Sequence, residues 1–167
     1  MFDLVVLDSA EHLLAVCKRK NLTVATAESC TGGLVAGAIS AISGSSSVLD
    51  RGYVTYSNRA KEEMLGVTPT ALESHGAVSR EVAEEMAKGA RARANVDLAV
   101  SVTGIAGPTG GTPDKPVGLV HFAAASRGGR LLVHEEQYGD VGRSQVRRLS
   151  LLQALAMLRE LAEKEES

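Results

Sequence analysis

The chain has 167 residues, of which 44% are apolar and 23% charged, values that fit one globular domain and exclude wholesale disorder. Its net charge of −2 excludes the strongly basic face that nucleic-acid binding demands. No apolar run approaches the roughly 20 residues needed to cross a bilayer, so neither nucleic acid nor membrane is expected as a partner.

The N-terminus, Met1-Phe2-Asp3-Leu4-Val5-Val6-Leu7, has no basic stretch ahead of a long apolar core and no small-residue cleavage site. A cytoplasmic protein is expected, with Cys17 and Cys30 as reduced thiols, since they form no CxxC or metal-ligand pattern. Aromatics are 3% and Trp is absent, so the core must be built from Ala, Val, Leu and Ile.

Residues 4–20 have helical periodicity, and their basic end Lys18-Arg19-Lys20 suits a helix C-terminus. Residues 22–27 read as a buried strand, 34–42 as a helix of small residues, 43–47 as a loop and 51–57 as a strand. Asn58 can cap a helix reaching Gly66, and Thr68-Pro69 opens another, with Pro at the tolerated first position. Ser79 can cap a helix over 80–94, followed by a buried strand at 97–102. Strands at 117–125 and 130–137 flank the hairpin turn Arg127-Gly128-Gly129, and a last helix spans 142–163. Strands alternating with helices predict a three-layer α/β/α fold with a mixed, mainly parallel sheet, the hairpin supplying one antiparallel strand. A single domain is expected over 1–162, with a polar tail at 163–167.

Glu28-Ser29-Cys30-Thr31-Gly32-Gly33 joins the end of a predicted strand to the start of a helix. Open α/β sheets bind ligands beyond the carboxyl ends of their strands, and amides at a helix start can hold a developing oxyanion. Ser29 is the best-placed hydroxyl to attack a carbonyl, although Ser29 and Thr31 serve equally on spacing alone as helix caps. Cys30 is the rival nucleophile, yet neighbours at a strand end point to opposite sides, so one of the pair faces the site. The general base is open among His12, His75, His121, His134 and Lys61. Lys61 qualifies only if burial or a nearby cation lowers its pKa; otherwise it is a solvated lysine on an amphipathic helix.

The stretch Thr103-Gly-Ile-Ala-Gly-Pro-Thr-Gly-Gly-Thr-Pro-Asp-Lys-Pro116 fits neither a Walker A nor a dinucleotide fingerprint. Its apolar Ile105 and Ala106 favour a glycine-rich wall or lid over a free surface loop, with Thr103 and Gly104 at its entrance as substrate contacts. Arg143 and Arg147 share a face of the last helix and can clamp a phosphate or carboxylate, or form a solvated basic face with Arg148.

Ala27-Glu28-Ser29-Cys30-Thr31-Gly32-Gly33, Gly44-Ser45-Ser46, Gly52-Tyr53-Val54-Thr55-Tyr56-Ser57-Asn58, and Lys61 with Leu65-Gly66-Val67 together resemble the CinA C-terminal domain family. His75-Gly76-Ala77-Val78-Ser79, the Thr103–Pro108 stretch and Lys115-Pro116-Val117-Gly118 extend the likeness over roughly residues 5–160. The resemblance implies hydrolysis of nicotinamide mononucleotide to nicotinate mononucleotide and ammonia, in bacterial pyridine-nucleotide recycling, by a serine–lysine hydrolase without metal or cofactor. It implies Ser29 as nucleophile, Lys61 as base and Tyr56 assisting, with Thr31, Gly32 and Gly33 around the oxyanion and Ser46 and Arg143 on the substrate. It also points, with the Ala-rich helices, to a homodimer.

Two departures are visible. Family members often carry a preceding domain resembling molybdopterin-binding proteins, and this sequence starts at the amidohydrolase domain, so no activity of that other domain is expected. Gly139-Asp-Val-Gly-Arg143 is longer than the compact Gly-Asp-Arg of the family. A domain that kept the pocket as a non-catalytic nucleotide sensor is the alternative function. The intact Ser29, Tyr56 and Lys61 favour the enzyme.

Overall fold

A computed structural model describes residues 1–166; Ser167, the end of the expected polar tail, lies outside the described residues. The element order is α1 (Leu4–Lys20), β1 (Val24–Glu28), α2 (Leu34–Ser40), β2 (Leu49–Val54), α3 (Asn58–Leu65), α4 (Pro69–His75), α5 (Arg80–Ala94), β3 (Leu98–Gly104), β4 (Leu119–Ser126), β5 (Leu131–Gln137) and α6 (Arg143–Lys164). The sheet order is β2-β1-β3-β4-β5. Strand β1 pairs in parallel with β2 and β3, whereas β4 pairs antiparallel with β3 and β5. Only β4 therefore runs against the rest, and the expected mixed, mainly parallel α/β sheet is present.

Alternation along the strands sorts the core into two layers. Val24, Leu98, Val100, Val102, Val120 and Phe122 face α1, α2 and α6. Ala25, Ala27, Ala99 and Ala123 face the other way, where α5 lies with α3 and α4 beside it. Alanines on α5 meet alanines on the strands, which is how a core nearly free of aromatics fills its volume: the backbones come closer together.

Gly89 carries that approach furthest. A Cβ at this position would stand 1.9 Å from the Leu65 carbonyl oxygen at the end of α3. Gly89→Ala should gain about 1 kcal/mol in helix propensity. Overpacking against backbone costs about 1–3 kcal/mol or more. The clash wins, and a fall of several degrees in melting temperature is expected by calorimetry; an unchanged or higher midpoint would refute this packing. Leu65 and Lys61 are four residues apart and both buried, so the same contact seats Lys61.

Several boundaries differ from those read off the sequence. Ser57, not Asn58, caps α3, its hydroxyl accepting from the Ala60 amide at 3.0 Å. Strand β2 starts and ends earlier than expected because the chain must turn out of the sheet before Ser57 to enter α3. Glu28 belongs to β1, and α6 runs through Lys164 into the stretch assigned to the tail. There Lys20 Nζ donates to the carbonyls of Ala162, Glu163 and Glu165. Among the described residues, no helix is long and apolar enough to cross a membrane.

Candidate active site

The connection leaving β1 passes through α2 on one face, while β3 is entered from α5 on the other. A crevice therefore opens at the carboxyl ends of β1 and β3, the usual ligand position in such sheets. Ser29 follows β1, and Thr103 and Gly104 end β3. They line a cavity of about 280 Å³ together with Tyr56, Lys61, Ile105 and Arg143. A larger hollow of about 620 Å³ runs along α1, lined by Leu4, Val5, Leu7 and Ile42 with the carboxylates Asp8 and Glu11, and it holds no serine, cysteine or lysine. None of the four histidines lines the cavity beside Ser29.

Lys61 is the largest fully buried side chain among the described residues, 1% exposed. Its Nζ donates to Ser29 Oγ at 3.0 Å and to the Thr55 carbonyl at 2.9 Å. Among the described residues, no carboxylate pairs with it. Burial therefore disfavours the ammonium form and pulls its pKa down to about 8. The solvated surface lysine, open from sequence alone, is excluded by this burial.

Ser29 and Cys30 both border the cavity, where a single residue of the pair is expected, but they differ in burial and contacts. Ser29 turns to the Lys61 side, and the Cys30 thiol packs into the core with Val35 and Val102. Burial pushes that thiol up to about 11, so it is a poor thiolate source at neutral pH.

Glu28, the acidic residue that ends β1, organises the turn. Its side chain is fully buried, and its two oxygens accept from the Val35 amide at 2.9 Å, the Ala36 amide at 3.0 Å and the Thr26 hydroxyl at 3.0 Å. A carboxylate thus caps the start of α2 from inside, so those two amides are not available for a ligand. The signal in the sequence was one acidic residue ending a strand of small residues, shortly before a helix with no capping side chain of its own. Gly32 and Gly33 have φ of +56° and +101°, the left-handed region that lets the chain reverse there. Thr31, Gly32 and Gly33 lie behind Ser29 and are not among the residues lining the cavity.

At the mouth, Arg143 donates to the Tyr56 hydroxyl and to the Gly107 carbonyl, both at 2.9 Å. The long Gly139–Arg143 stretch thus still delivers Arg143 to the cavity. Tyr56 is 60% exposed and faces Arg143; its hydroxyl makes no hydrogen bond to Ser29 or Lys61. The Thr103 hydroxyl donates to the Ala77 carbonyl at 2.8 Å, holding the α4–α5 connection against the cavity. Ser46 is not brought to the site. It is exposed in the 3₁₀ turn Ser45–Ser47, just before β2, and the pairing of Val24 with Leu49 puts it at the opposite end of the strands from Ser29. Within one chain it cannot touch a ligand in this cavity.

Comparison with known proteins agrees with this architecture. The chain is 55% identical over 124 residues to "Nicotinamide-nucleotide amidohydrolase PncC" of Enterobacter agglomerans, covering 74% of this chain and 76% of that protein. It is 50% identical over 152 residues to a CinA-like protein of Shewanella pealeana, covering 90% of this chain but 35% of that one. It thus spans about a third of the length of such CinA-like relatives. Among solved structures, the competence/damage inducible protein CihA of Agrobacterium tumefaciens superposes with a TM-score of 0.95 at 50% identity, covering 96% of this chain and 98% of that one. The competence damage-inducible protein A of Klebsiella pneumoniae gives 0.90 at 34% identity, covering 96% and 99%. The family model of the CinA C-terminal domain matches residues 7–162, and the chain belongs to that family.

Proposed function

We propose that the protein is an amidohydrolase that cleaves the carboxamide of nicotinamide mononucleotide, giving nicotinate mononucleotide and ammonia, with Ser29 as nucleophile and Lys61 as general base. The observation that carries this reading is the 3.0 Å contact between Ser29 Oγ and the buried, carboxylate-free Nζ of Lys61. The Enterobacter agglomerans relative, named a nicotinamide-nucleotide amidohydrolase, supports the substrate class.

The chemistry follows from that contact. As a neutral amine, Lys61 keeps one N–H on the Thr55 carbonyl, and its lone pair accepts the Ser29 proton. Ser29 Oγ then bonds to the amide carbon. The lysine returns the proton to the departing nitrogen, so ammonia leaves and a nicotinoyl ester remains on Ser29. Water attacks the ester carbon and gives its proton to Lys61, which passes it to Ser29 Oγ as the carboxylate product departs. The pyridinium ring of the substrate is itself cationic, and a neutral base tolerates that neighbour. Arg143 at the mouth supplies the cation for the phosphate. The test is ammonia release from nicotinamide mononucleotide by the wild type, with Ser29→Ala as control. No release by the wild type would overturn the substrate, and release by Ser29→Ala would overturn the mechanism.

A further inference from the structure

The cavity wall is built from segments with separate supports. Ser29 and Lys61 stand on β1 and α3, whereas Ala77 and Val78 belong to the α4–α5 connection and Thr109 and Gly110 to the loop that leaves β3. Three side chains tie the latter two segments down. Thr103 Oγ1 donates to the Ala77 carbonyl at 2.8 Å, Arg143 Nη1 to the Gly107 carbonyl at 2.9 Å, and Lys115 Nζ to the His75 carbonyl. Thr103 and Arg143 line the cavity themselves, and Lys115 does not. Arg147, which shares a helix face with Arg143, also stays out of the cavity and spends its Nε on the Cys30 carbonyl at 3.1 Å.

Lys115 is half-buried, and among the described residues it has no carboxylate within ion-pair distance. Its backbone is fixed to the loop, because the Thr112 amide donates to the Lys115 carbonyl at 2.8 Å and the Lys115 amide to the Thr112 hydroxyl at 3.1 Å. The base of the loop continues the β3–β4 ladder, with the Gly118 amide donating to the Ile105 carbonyl at 2.8 Å. On the other side, Gly76 makes room for the ammonium. Its φ of +75° and ψ of 166° belong almost to glycine alone, and a Cβ there would stand 2.9 Å from Lys115 Nζ. Carbonyls at a helix C-terminus attract cations, which accounts for a local benefit to α4. It does not account for the span of the contact. The partners are 40 positions apart, and they join the two segments that carry Ala77 and Gly110 into the cavity wall.

We propose that Lys115 is a positioning residue that sets the width of the substrate cavity by clasping the loop after β3 to the end of α4. The proposal rests on the amidohydrolase reading above. Without the clasp, only Thr103, at the base of the loop, still ties it to the α4–α5 connection, and the stretch with Thr109 and Gly110 can move away from Ala77 and Val78. The reacting pair stays in place, because Lys61 keeps its bonds to Ser29 and to the Thr55 carbonyl. The loss falls on parts of the substrate that do not react, and a loss of that kind raises KM and leaves kcat.

The experiment compares wild type, Lys115→Met, Lys115→Arg and Ser29→Ala in ammonia release from nicotinamide mononucleotide, and titrates each with the product, nicotinate mononucleotide, in a calorimeter. Lys115→Met keeps the apolar stem and removes the donor. Its KM should rise about tenfold with kcat held within about threefold, and its Kd for the product should rise in step. Lys115→Arg keeps a cationic donor and should return KM to within about threefold of wild type. If Lys115→Met does not fold, Lys115→Gln, which is too short to reach the His75 carbonyl, decides by the same KM and kcat criterion. An unchanged KM and product Kd in the folded variant, or a kcat that falls with KM intact, overturns the clasp while Ser29→Ala remains inactive. A Lys115→Arg variant as impaired as Lys115→Met overturns the donor role. A Ser29→Ala variant that turns over, or a wild type that does not, overturns the amidohydrolase reading instead.

Discussion

Ser29→Ala should lower ammonia release by several orders of magnitude, on the order of 10⁴–10⁶, without changing substrate affinity or fold. The size follows from the way the residues act together. With the hydroxyl gone, Lys61 has no proton to accept, and the amide carbon has no nucleophile within reach. Cys30 is a poor substitute, because its thiol is buried and burial pushes it up to about 11. Cys30→Ala should accordingly keep turnover within a few-fold while losing some stability to the cavity left behind. Isothermal titration separates binding from chemistry, and mass spectrometry of a quenched wild-type reaction should find the nicotinoyl ester on Ser29. Turnover by Ser29→Ala within about tenfold of wild type would sink the nucleophile assignment.

The architecture was legible in the sequence because periodicity and capping are local. Thr68 and Ser79 cap the helices where their spacing places them, and each accepts from the amide three residues on. Boundaries set by neighbouring strands were not legible. Strand β2 runs over Leu49–Val54 because pairing with β1 decides its ends, and no local signal in Asp50-Arg51-Gly52 announces that pairing. In the site, the strand-end motif placed Ser29, but nothing local told a buried Lys61 from a solvated one. Its burial depends on Gly89, 28 positions away, which lets the end of α3 sit against α5. Arg143 and Arg147 looked equivalent because helical spacing records a shared face, not what each side chain meets. Ser46 was assigned through resemblance, and its place at the far end of β2 follows from strand register, which the motif does not encode.

Lys61→Arg should be nearly inactive, and the wild-type pH profile should say why. An ammonium has no lone pair, so only the neutral fraction of Lys61 can take the Ser29 proton. With a pKa lowered by burial to about 8, a tenth or so of the free enzyme is competent at pH 7. The acid limb of kcat/KM reports the free enzyme and should bend near pH 8, falling about tenfold per unit below it. The limb of kcat reports the bound complex, where the substrate's pyridinium charge should push it lower still. Arginine stays protonated and cannot act as a base, so Lys61→Arg loses the chemistry while keeping the charge. Stability moves in a matching direction. Below about pH 8 both folded and unfolded chains hold the proton, and the native state bears the full cost of burying the cation. Between about 8 and the ordinary lysine value of 10.5 the unfolded chain binds a proton that the native chain does not, so stability rises with pH across that window. The total rise is on the order of 3 kcal/mol, and Lys61→Met should abolish it and be more stable than wild type at pH 7. Urea unfolding of wild type and Lys61→Met from pH 7 to 10 measures the difference directly. A Lys61→Arg enzyme that retained most of the wild-type rate, or an acid limb near pH 10, would make the role of this lysine electrostatic and send the search for the base to Tyr56.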